Sequence, residues 1–159
     1  MFRGVTHLAL DAKGRLAIPA KHRALLTGEA ASEAVGDGAL APGSLILTAD
    51  PSRCLLLYPH AEWEPIQARL MGLSSFNETL RSLQRLLVGH ADDVDIDGAG
   101  RILVPPSLRQ YASLEHRVVL VGQGNKFELW DETRWLEATA RAIAFPAGSL
   151  PSELDGFSL

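Results

Sequence analysis

The stretch Asp11-Ala12-Lys13-Gly14-Arg15-Leu16-Ala17-Ile18-Pro19 is written twice in this chain of 159 residues. It returns as Asp97-Gly98-Ala99-Gly100-Arg101-Ile102-Leu103-Val104-Pro105. Both copies read Asp-x-x-Gly-Arg, then three apolar residues, then proline. Equivalent residues lie 86 positions apart, and the same offset relates Arg23 to Arg109. The motif is therefore part of a longer internal repeat.

A second matched pair lies downstream of each motif. Cys54-Leu55-Leu56-Leu57-Tyr58 corresponds to Lys126-Phe127-Glu128-Leu129-Trp130 at an offset of 72 residues, so the first copy carries 14 extra residues between motif and hairpin. The chain is a tandem duplication. Because two copies are too few for a solenoid, we expect one pseudo-symmetric unit.

Each motif predicts a strand, a tight turn, a returning strand and a short helix. The apolar residues before each aspartate alternate with other residues, as in a half-buried strand. Aspartate and glycine around two residues are typical of a turn, with glycine at positive φ. Pro19 and Pro105 end the returning strands and suit the first turn of a helix. We therefore interpret Asp11, Asp97, Pro19 and Pro105 as motif-structuring residues.

The arginine of each motif lies where the chain leaves the turn. From there the long cationic side chains of Arg15 and Arg101 can project from the edge of the sheet. Alternatively, each arginine pairs with the aspartate four residues earlier and fixes its own turn. The two interpretations are compatible, because a local pair can orient a guanidinium group towards phosphate or guanine.

Positive charge gathers around the two motifs although the whole chain has a net charge of −4. Residues 1–28 contain five basic residues against Asp11 alone, and residues 98–114 contain Arg101 and Arg109 and no acid. Such a distribution is expected of a confined nucleic-acid footprint. A solvated charged face would give the same pattern.

Outside the motifs we expect two hairpins and a set of helices. The strands are predicted at 45–48, 55–58, 117–121 and 126–130, and the helices at 20–26, 60–71, 78–88 and 132–144. Lys21, His22 and Arg23 are assigned to the polar side of the first helix, and Trp135 and Leu136 to the inner side of the last. The leucine stripe of 78–88 predicts either a connector or a subunit contact. Residues 27–44 are predicted to form a surface loop and 145–159 a disordered or loosely packed tail.

No pattern in the sequence supports an enzyme, a metal site or a cofactor. The five histidines are scattered, and no nucleophile elbow, P-loop or dinucleotide fingerprint occurs. The acidic run 92–97 alternates with apolar residues and is better explained as a strand than as a cation site. Cys54 is a single cysteine in an apolar run, typical of a buried thiol in a reducing compartment. No run of about 18 apolar residues predicts a membrane span, so we expect a cytoplasmic protein.

Several motifs together resemble the MraZ family of bacterial transcriptional regulators, over Met1 to about Arg141. Besides the paired Asp-x-x-Gly-Arg motifs, they are Met1-Phe2-Arg3-Gly4, Cys54-Leu55-Leu56-Leu57-Tyr58-Pro59, Arg85-Leu86-Leu87-Val88-Gly89-His90-Ala91 and Asn125-Lys126-Phe127-Glu128-Leu129-Trp130-Asp131. The resemblance implies an α+β fold of two SpoVT/AbrB-like modules, 1–76 and 77–144, forming a small β-barrel flanked by helices, with 145–159 as a tail.

The resemblance also implies a function. Members of that family are nucleoid-associated, ring-forming homo-oligomers that regulate the division and cell-wall gene cluster and bind direct repeats in double-stranded DNA upstream of their own operon. Carried over by motif and charge, the expected DNA-binding residues are Lys13, Gly14, Arg15, Lys21, Arg23, Gly100, Arg101 and Arg109. The arginines of the motifs would read bases or phosphates in the major groove, and the flanking cations would contact phosphates. The competing hypothesis is an antitoxin-like protein-binding module, because AbrB-type modules also occur beside toxins.

Overall fold

The computed structural model describes residues 1–27, 44–74 and 76–144. Nearly all of the predicted surface loop 27–44 and the whole predicted tail 145–159 lie outside the described residues. Chain elements in order are β1 (Phe2–Ala9), β2 (Arg15–Ala17), α1 (Ala20–Thr27), β3 (Ser44–Ala49), β4 (Leu55–Pro59), α2 (His60–Met71), α3 (Glu78–Leu87), β5 (Asp92–Asp95), β6 (Arg101–Leu103), α4 (Pro106–Tyr111), β7 (Arg117–Gly124), β8 (Phe127–Asp131) and α5 (Glu132–Ile143). The predicted α+β class is confirmed.

Six strands form one antiparallel sheet in the order β1-β7-β8-β4-β3-β5, and β2 pairs with β6 in a separate two-stranded ladder, here called the ribbon. The order is palindromic with respect to the repeat, because β1 corresponds to β5, β7 to β3 and β8 to β4. In the ribbon, Leu16 lies opposite Ile102, its own counterpart in the other copy. At the centre of the sheet, Leu56 likewise lies opposite Glu128. A pseudo-twofold axis therefore passes through both pairs.

The strands of the two copies interleave. Strand β1 of the first copy pairs with β7 of the second, and β5 of the second copy pairs with β3 of the first. Neither copy completes a sheet of its own, because each motif strand finds its neighbour in the other half of the chain. The boundary between the modules near residue 76 remains a prediction.

The small β-barrel is not closed in the described residues. Strands β1 and β5 are the two edges of the six-stranded sheet, and no ladder joins them. Each edge leads through its turn into a ribbon strand of three residues, and the contact between β1 and β2 is reduced to one bridge, Leu10 with Leu16. Pro19 and Pro105 follow these short strands, so the ladder cannot extend far enough to close.

The core lies on both faces of the sheet. On one face, Leu55 and Leu57 of β4 pack in a cluster with Leu16 and Ile102 of the ribbon. On the other face, the alternate residues Cys54, Leu56 and Tyr58 join a second cluster that includes Trp63 of α2 and, half-buried, Trp135 of α5. The ribbon is therefore anchored to the sheet through Leu16 and Ile102, which are 0% exposed.

Three expectations about side-chain faces are corrected or refined. His22 is buried between Phe2 and Phe127 rather than on the polar side of α1, and burial, with a smaller effect of Lys21, lowers its pKa. Leu136 is 58% exposed, because α5 packs through Trp135 and Ala138 instead. The stripe of α3 has intramolecular partners, since Leu86 and Leu87 pack against the two clusters.

Candidate nucleic-acid interface

The first motif folds as a hairpin with a three-residue loop. The Gly14 amide donates to the Asp11 carbonyl at 2.9 Å, and the Asp11 amide donates to the Arg15 carbonyl at 3.0 Å. Gly14 has a φ of 82°, in the left-handed region that favours glycine. This combination is a type I turn followed by a left-handed residue, a common hairpin connection with a bulge.

The second motif repeats this geometry. The Gly100 amide donates to the Asp97 carbonyl at 2.8 Å, the Asp97 amide donates to the Arg101 carbonyl at 2.8 Å, and Gly100 has a φ of 75°. The shared frame of the two motifs is therefore explained: aspartate and glycine are the residues that this turn requires.

Each aspartate holds its turn and its arginine at once. Asp11 Oδ1 accepts from the backbone amides of Lys13 and Arg15, while its Oδ2 accepts from Arg15 Nε at 2.7 Å. Asp97 makes the same contacts with Ala99 and Arg101, the latter through Nε at 3.0 Å. The hydrogen bond from the backbone amide of the arginine is the largest of the effects that lower the pKa of each carboxyl. The local ion pair weighed in the sequence analysis is thus present in both copies.

The local pair leaves most of each guanidinium group unused. It engages only Nε, and among the described residues the two terminal nitrogens of Arg15 and of Arg101 make no hydrogen bond. The side chains are 33% and 35% exposed. Each arginine is therefore oriented by its own turn and keeps a fork of donors for another molecule.

The ribbon places these two arginines on one surface. Leu16 and Ile102 face the core, so their neighbours Arg15, Ala17, Arg101 and Leu103 face outward. Arg15 lies opposite Leu103, and Arg101 lies opposite Ala17, so the arginines are diagonal neighbours, about 7–8 Å apart along the ribbon face. The major groove of B-DNA admits a two-stranded β-ribbon, so this face has a shape that could enter it.

The flanking arginines, predicted to contact phosphates, lie against the glycines of the two turns. Arg109 lies against Gly14, so that an added Cβ there would be 2.6 Å from its Cζ, and Arg23 lies against Gly100 in the same way. Each arginine thus crosses to the turn of the other copy. Both are half-buried, which indicates support of the turns in addition to, or in place of, contact with phosphate.

Backbone hydrogen bonds also run from each copy to the turn of the other copy. The Ile18 amide donates to the Gly100 carbonyl at 2.9 Å, and the Val104 amide donates to the Gly14 carbonyl at 2.8 Å. The two arginines differ in one respect: Arg23 Nε donates to the Ile18 carbonyl at 2.8 Å, whereas Arg109 Nε is buried without a partner among the described residues. The constant offset of 86 residues was the signal that linked these residues, but it gave no indication that they would cross.

The remaining predicted residues surround the ribbon. Lys13 is exposed at the tip of the first turn, where the second turn has Ala99, and Lys21 is exposed in the first turn of α1. Pro19 directly precedes α1, and Pro105 is the N-terminal cap residue of α4. Sequence reasoning overlooked Leu103, an apolar side chain that is 54% exposed in the middle of this basic surface.

Other kinds of site have little support in the described part of the chain. No group of three histidine, cysteine, aspartate or glutamate residues within 1–27, 44–74 and 76–144 is arranged to hold a metal ion. Cys54 is buried, as predicted, and burial raises the pKa of its thiol, which disfavours the reactive thiolate. None of the described helices is long and apolar enough to cross a membrane.

Comparison with known proteins identifies related chains along the whole sequence. The family model described as "MraZ protein, putative antitoxin-like" matches residues 1–86 and 87–154. The chain is 57% identical over 159 residues to a protein of Nitrosospira multiformis and 52% identical over 160 residues to one of Thiobacillus denitrificans, with all of each chain covered. It is 50% identical to a protein of Pseudomonas syringae, covering 97% of both chains. All three relatives are named "Transcriptional regulator MraZ".

Proposed function

Because the chain belongs to the MraZ family, we propose that it is a sequence-specific DNA-binding transcriptional regulator and not an enzyme. Its relatives carry the name of transcriptional regulators. The proposed target is a set of direct repeats in double-stranded DNA upstream of its own operon, in the division and cell-wall gene cluster. The protein then works in the cytoplasm, associated with the nucleoid.

The observation that carries this proposal is the outward face of the ribbon. Arg15 and Arg101 are diagonal neighbours there, each oriented through Nε by its own aspartate and each with two terminal nitrogens unused among the described residues. An arginine with two free donors matches O6 and N7 of guanine in the major groove, the commonest specific protein–DNA contact. Because the aspartates fix both guanidinium groups before binding, little conformational entropy is lost when the contact forms.

The other cations divide into two roles. Lys13 at the turn and Lys21 on α1 are exposed, and we assign them to phosphate contacts beside the groove. Arg23 and Arg109 lie on Gly100 and Gly14, and we assign them mainly to positioning the turns, with any phosphate contact secondary. The glycines serve the interface through their conformation, since positive φ brings each turn back into the ribbon.

Assembly follows from the limited surface of one chain. A ribbon of three residue pairs offers few base contacts, and the chain carries a net charge of −4, so a single protomer binds DNA weakly. A homo-oligomer larger than a dimer, closed into a ring by a repeated heterologous interface, presents several ribbons at once. Direct repeats in DNA then match repeated ribbons, and linked sites raise the overall affinity by about 10²–10⁴.

The second candidate function is an antitoxin-like module that binds a protein partner. It is favoured by the description of the matching family model, which includes the words "antitoxin-like". A partner protein would not need the paired arginines of the ribbon. The two functions are therefore separated by whether substitutions on the ribbon face abolish binding to DNA.

The experiment is a fluorescence anisotropy titration with DNA from upstream of the gene. Arg15→Ala and Arg101→Ala should each weaken binding by about 1–3 kcal/mol per site, multiplied across protomers. Arg15→Lys keeps the charge and loses the fork, so it should restore non-specific but not specific binding. Arg69→Ala is the matched control, because it removes one exposed arginine from the last turn of α2, outside the ribbon.

The outcomes separate the proposals. Loss of specific binding in both ribbon variants, with Arg69→Ala unchanged, supports DNA reading by the ribbon. Unchanged operator affinity in Arg15→Ala and Arg101→Ala would remove the basis for it. Circular dichroism and thermal unfolding of each variant test for a loss of fold, which we do not expect because an ion pair at a partly exposed position contributes little to stability.

A further inference from the structure

Leu103 is the one apolar side chain of any size on the outward face of the ribbon, and 54% of it is exposed. It lies directly opposite Arg15, and the next outward residue on its own strand is Arg101. Residues on each side of it, Ile102 and Val104, are 0% exposed, so strand alternation fixes its direction. An apolar side chain thus lies beside both of the arginines assigned to guanine.

The pseudo-symmetric counterpart of Leu103 is Ala17. Both residues face outward, and both lie opposite a motif arginine. They therefore have equivalent positions in the ribbon, but the leucine side chain extends further from the backbone than the alanine side chain. The turn tips differ as well, with Lys13 on one side and Ala99 on the other. The ribbon therefore has a twofold backbone and a face whose two halves are chemically different.

We propose that Leu103 is a specificity-determining residue that contacts the 5-methyl group of a thymine in the major groove. This inference rests on the proposed function, because it assumes that the ribbon enters that groove. Leucine has no polar atom with which to read a base edge, and the thymine methyl is the apolar feature of the major groove. Ala17 is too short to make the same contact, so each ribbon binds its site in one orientation.

The geometry also fixes where that thymine lies. Residues directly opposite each other in a ladder are separated by about 5 Å at Cβ, and successive bases along one strand are about 3.4 Å apart. Leu103 is opposite Arg15. The separation of about 5 Å corresponds to about one and a half base steps, so the thymine lies within about two base steps of the guanine that Arg15 reads.

The test compares thymine with uracil, which differs only in the methyl group. Two fluorescent duplexes are amplified from the DNA upstream of the gene, trimmed to the shortest bound fragment, one with dTTP and one with dUTP. Binding of wild-type protein should weaken about fourfold for each methyl contacted, the effect of burying one such group, and about sixteenfold where two protomers bind. Single thymine-to-uracil replacements then locate the contacted base.

Three variants test whether Leu103 makes the contact with the thymine methyl group. Leu103→Ala should bind the thymine duplex as weakly as wild type binds the uracil duplex and should no longer distinguish the two. Ala17→Leu should create a second thymine preference on the other half of the site. Leu136→Ala is the matched control, because Leu136 is also exposed, at 58%, but lies on α5; it should keep the full preference for thymine.

Three results would overturn the proposal. The first is equal binding of both duplexes by wild type, and the second is an undiminished thymine preference in Leu103→Ala; operator binding itself would persist in both cases, and the proposed function with it. The third is a fall in molar mass of Leu103→Ala in light scattering, which would assign Leu103 to a subunit contact. If wild type binds neither duplex specifically, the proposed function fails and this inference with it.

Discussion

Substitution of Gly14 by alanine tests whether Arg109 of the second copy contacts the turn of the first copy. An added Cβ at Gly14 would lie 2.6 Å from Cζ of Arg109, a residue of the second copy. Gly14 also has a φ of 82°, so alanine is strained there regardless of its neighbours. The two effects can be separated, because only the first depends on Arg109.

The backbone strain costs about 1–2 kcal/mol, the penalty of the left-handed conformation for a residue with a Cβ. The steric effect is at the low end of overpacking, about 1 kcal/mol, because a guanidinium at the end of a flexible side chain can move away. Gly14→Ala should therefore lower stability by about 2–3 kcal/mol in total. For a chain of this size that lowers Tm by about 4–12 °C.

The assay is a double-mutant cycle measured by thermal and urea unfolding at one fixed protein concentration. In an Arg109→Ala background, Gly14→Ala should cost about 1 kcal/mol less than in wild type, since the obstacle is gone. In an Arg23→Ala background its cost should be unchanged. Gly100→Ala should behave in the opposite way and couple to Arg23, whose Cζ lies against the added Cβ.

Which glycine couples to which arginine, rather than the size of the coupling energy, tests whether the arginines cross between the copies. Coupling of Gly14 to Arg23, or of Gly100 to Arg109, would mean that each arginine supports the turn of its own copy. The interleaved arrangement of the halves around the ribbon would then be wrong.

Three other predictions concern binding and acid stability. The logarithm of the affinity for operator DNA should fall linearly with the logarithm of the salt concentration. Lys13→Ala and Lys21→Ala should each reduce the slope by about one, whereas Arg69→Ala should leave it unchanged. An affinity that does not depend on salt would mean that the basic surface makes no phosphate contacts. Cutting an operator from two repeats to one should lower affinity by about 10²–10⁴, and equal affinity would contradict assembly on repeats. The pKa values of Asp11 and Asp97 lie below their ordinary value of 3.8 in the folded state, so their stabilising contribution is present above pH 3.8 and is lost as the pH falls through the folded pKa. Urea unfolding between pH 5 and about pH 2 should therefore depend less on pH in Asp97→Asn than in wild type, and identical profiles would refute a stabilising role for the turn carboxylate.

Local structure was largely predictable because the chain marks its own boundaries. The bounds of α2 agree with the prediction of 60–71, since proline precedes the helix and Trp63, Ile66 and Leu70 keep helical spacing. Asp131 caps α5 as expected, accepting from the amides of Thr133 and Arg134. The two Asp-x-x-Gly-Arg turns also follow from residue chemistry alone.

Long-range pairing was not predictable from these signals. Strand β7 extends to Gly124 instead of ending at Val121, because the strand that prolongs it, β1, comes from the other end of the chain. The same is true of Arg23 and Arg109, whose positions depend on which turn lies nearest in space. Hydrophobic periodicity indicates which side of a strand or helix is buried, but it does not indicate which other strand pairs with that element.

The measurement that tests the central claim most directly uses operator DNA in which 7-deazaguanine replaces guanine one position at a time. This base lacks the N7 acceptor in the major groove and keeps its Watson–Crick pairing. If the ribbon reads guanine, wild type should lose about 1–3 kcal/mol at specific positions, and Arg15→Ala and Arg101→Ala should each be insensitive to the substitution at the position that its arginine contacts. Equal affinity of wild type for every substituted duplex, or losses that both variants retain in full, would contradict the assignment of the ribbon as the reading surface.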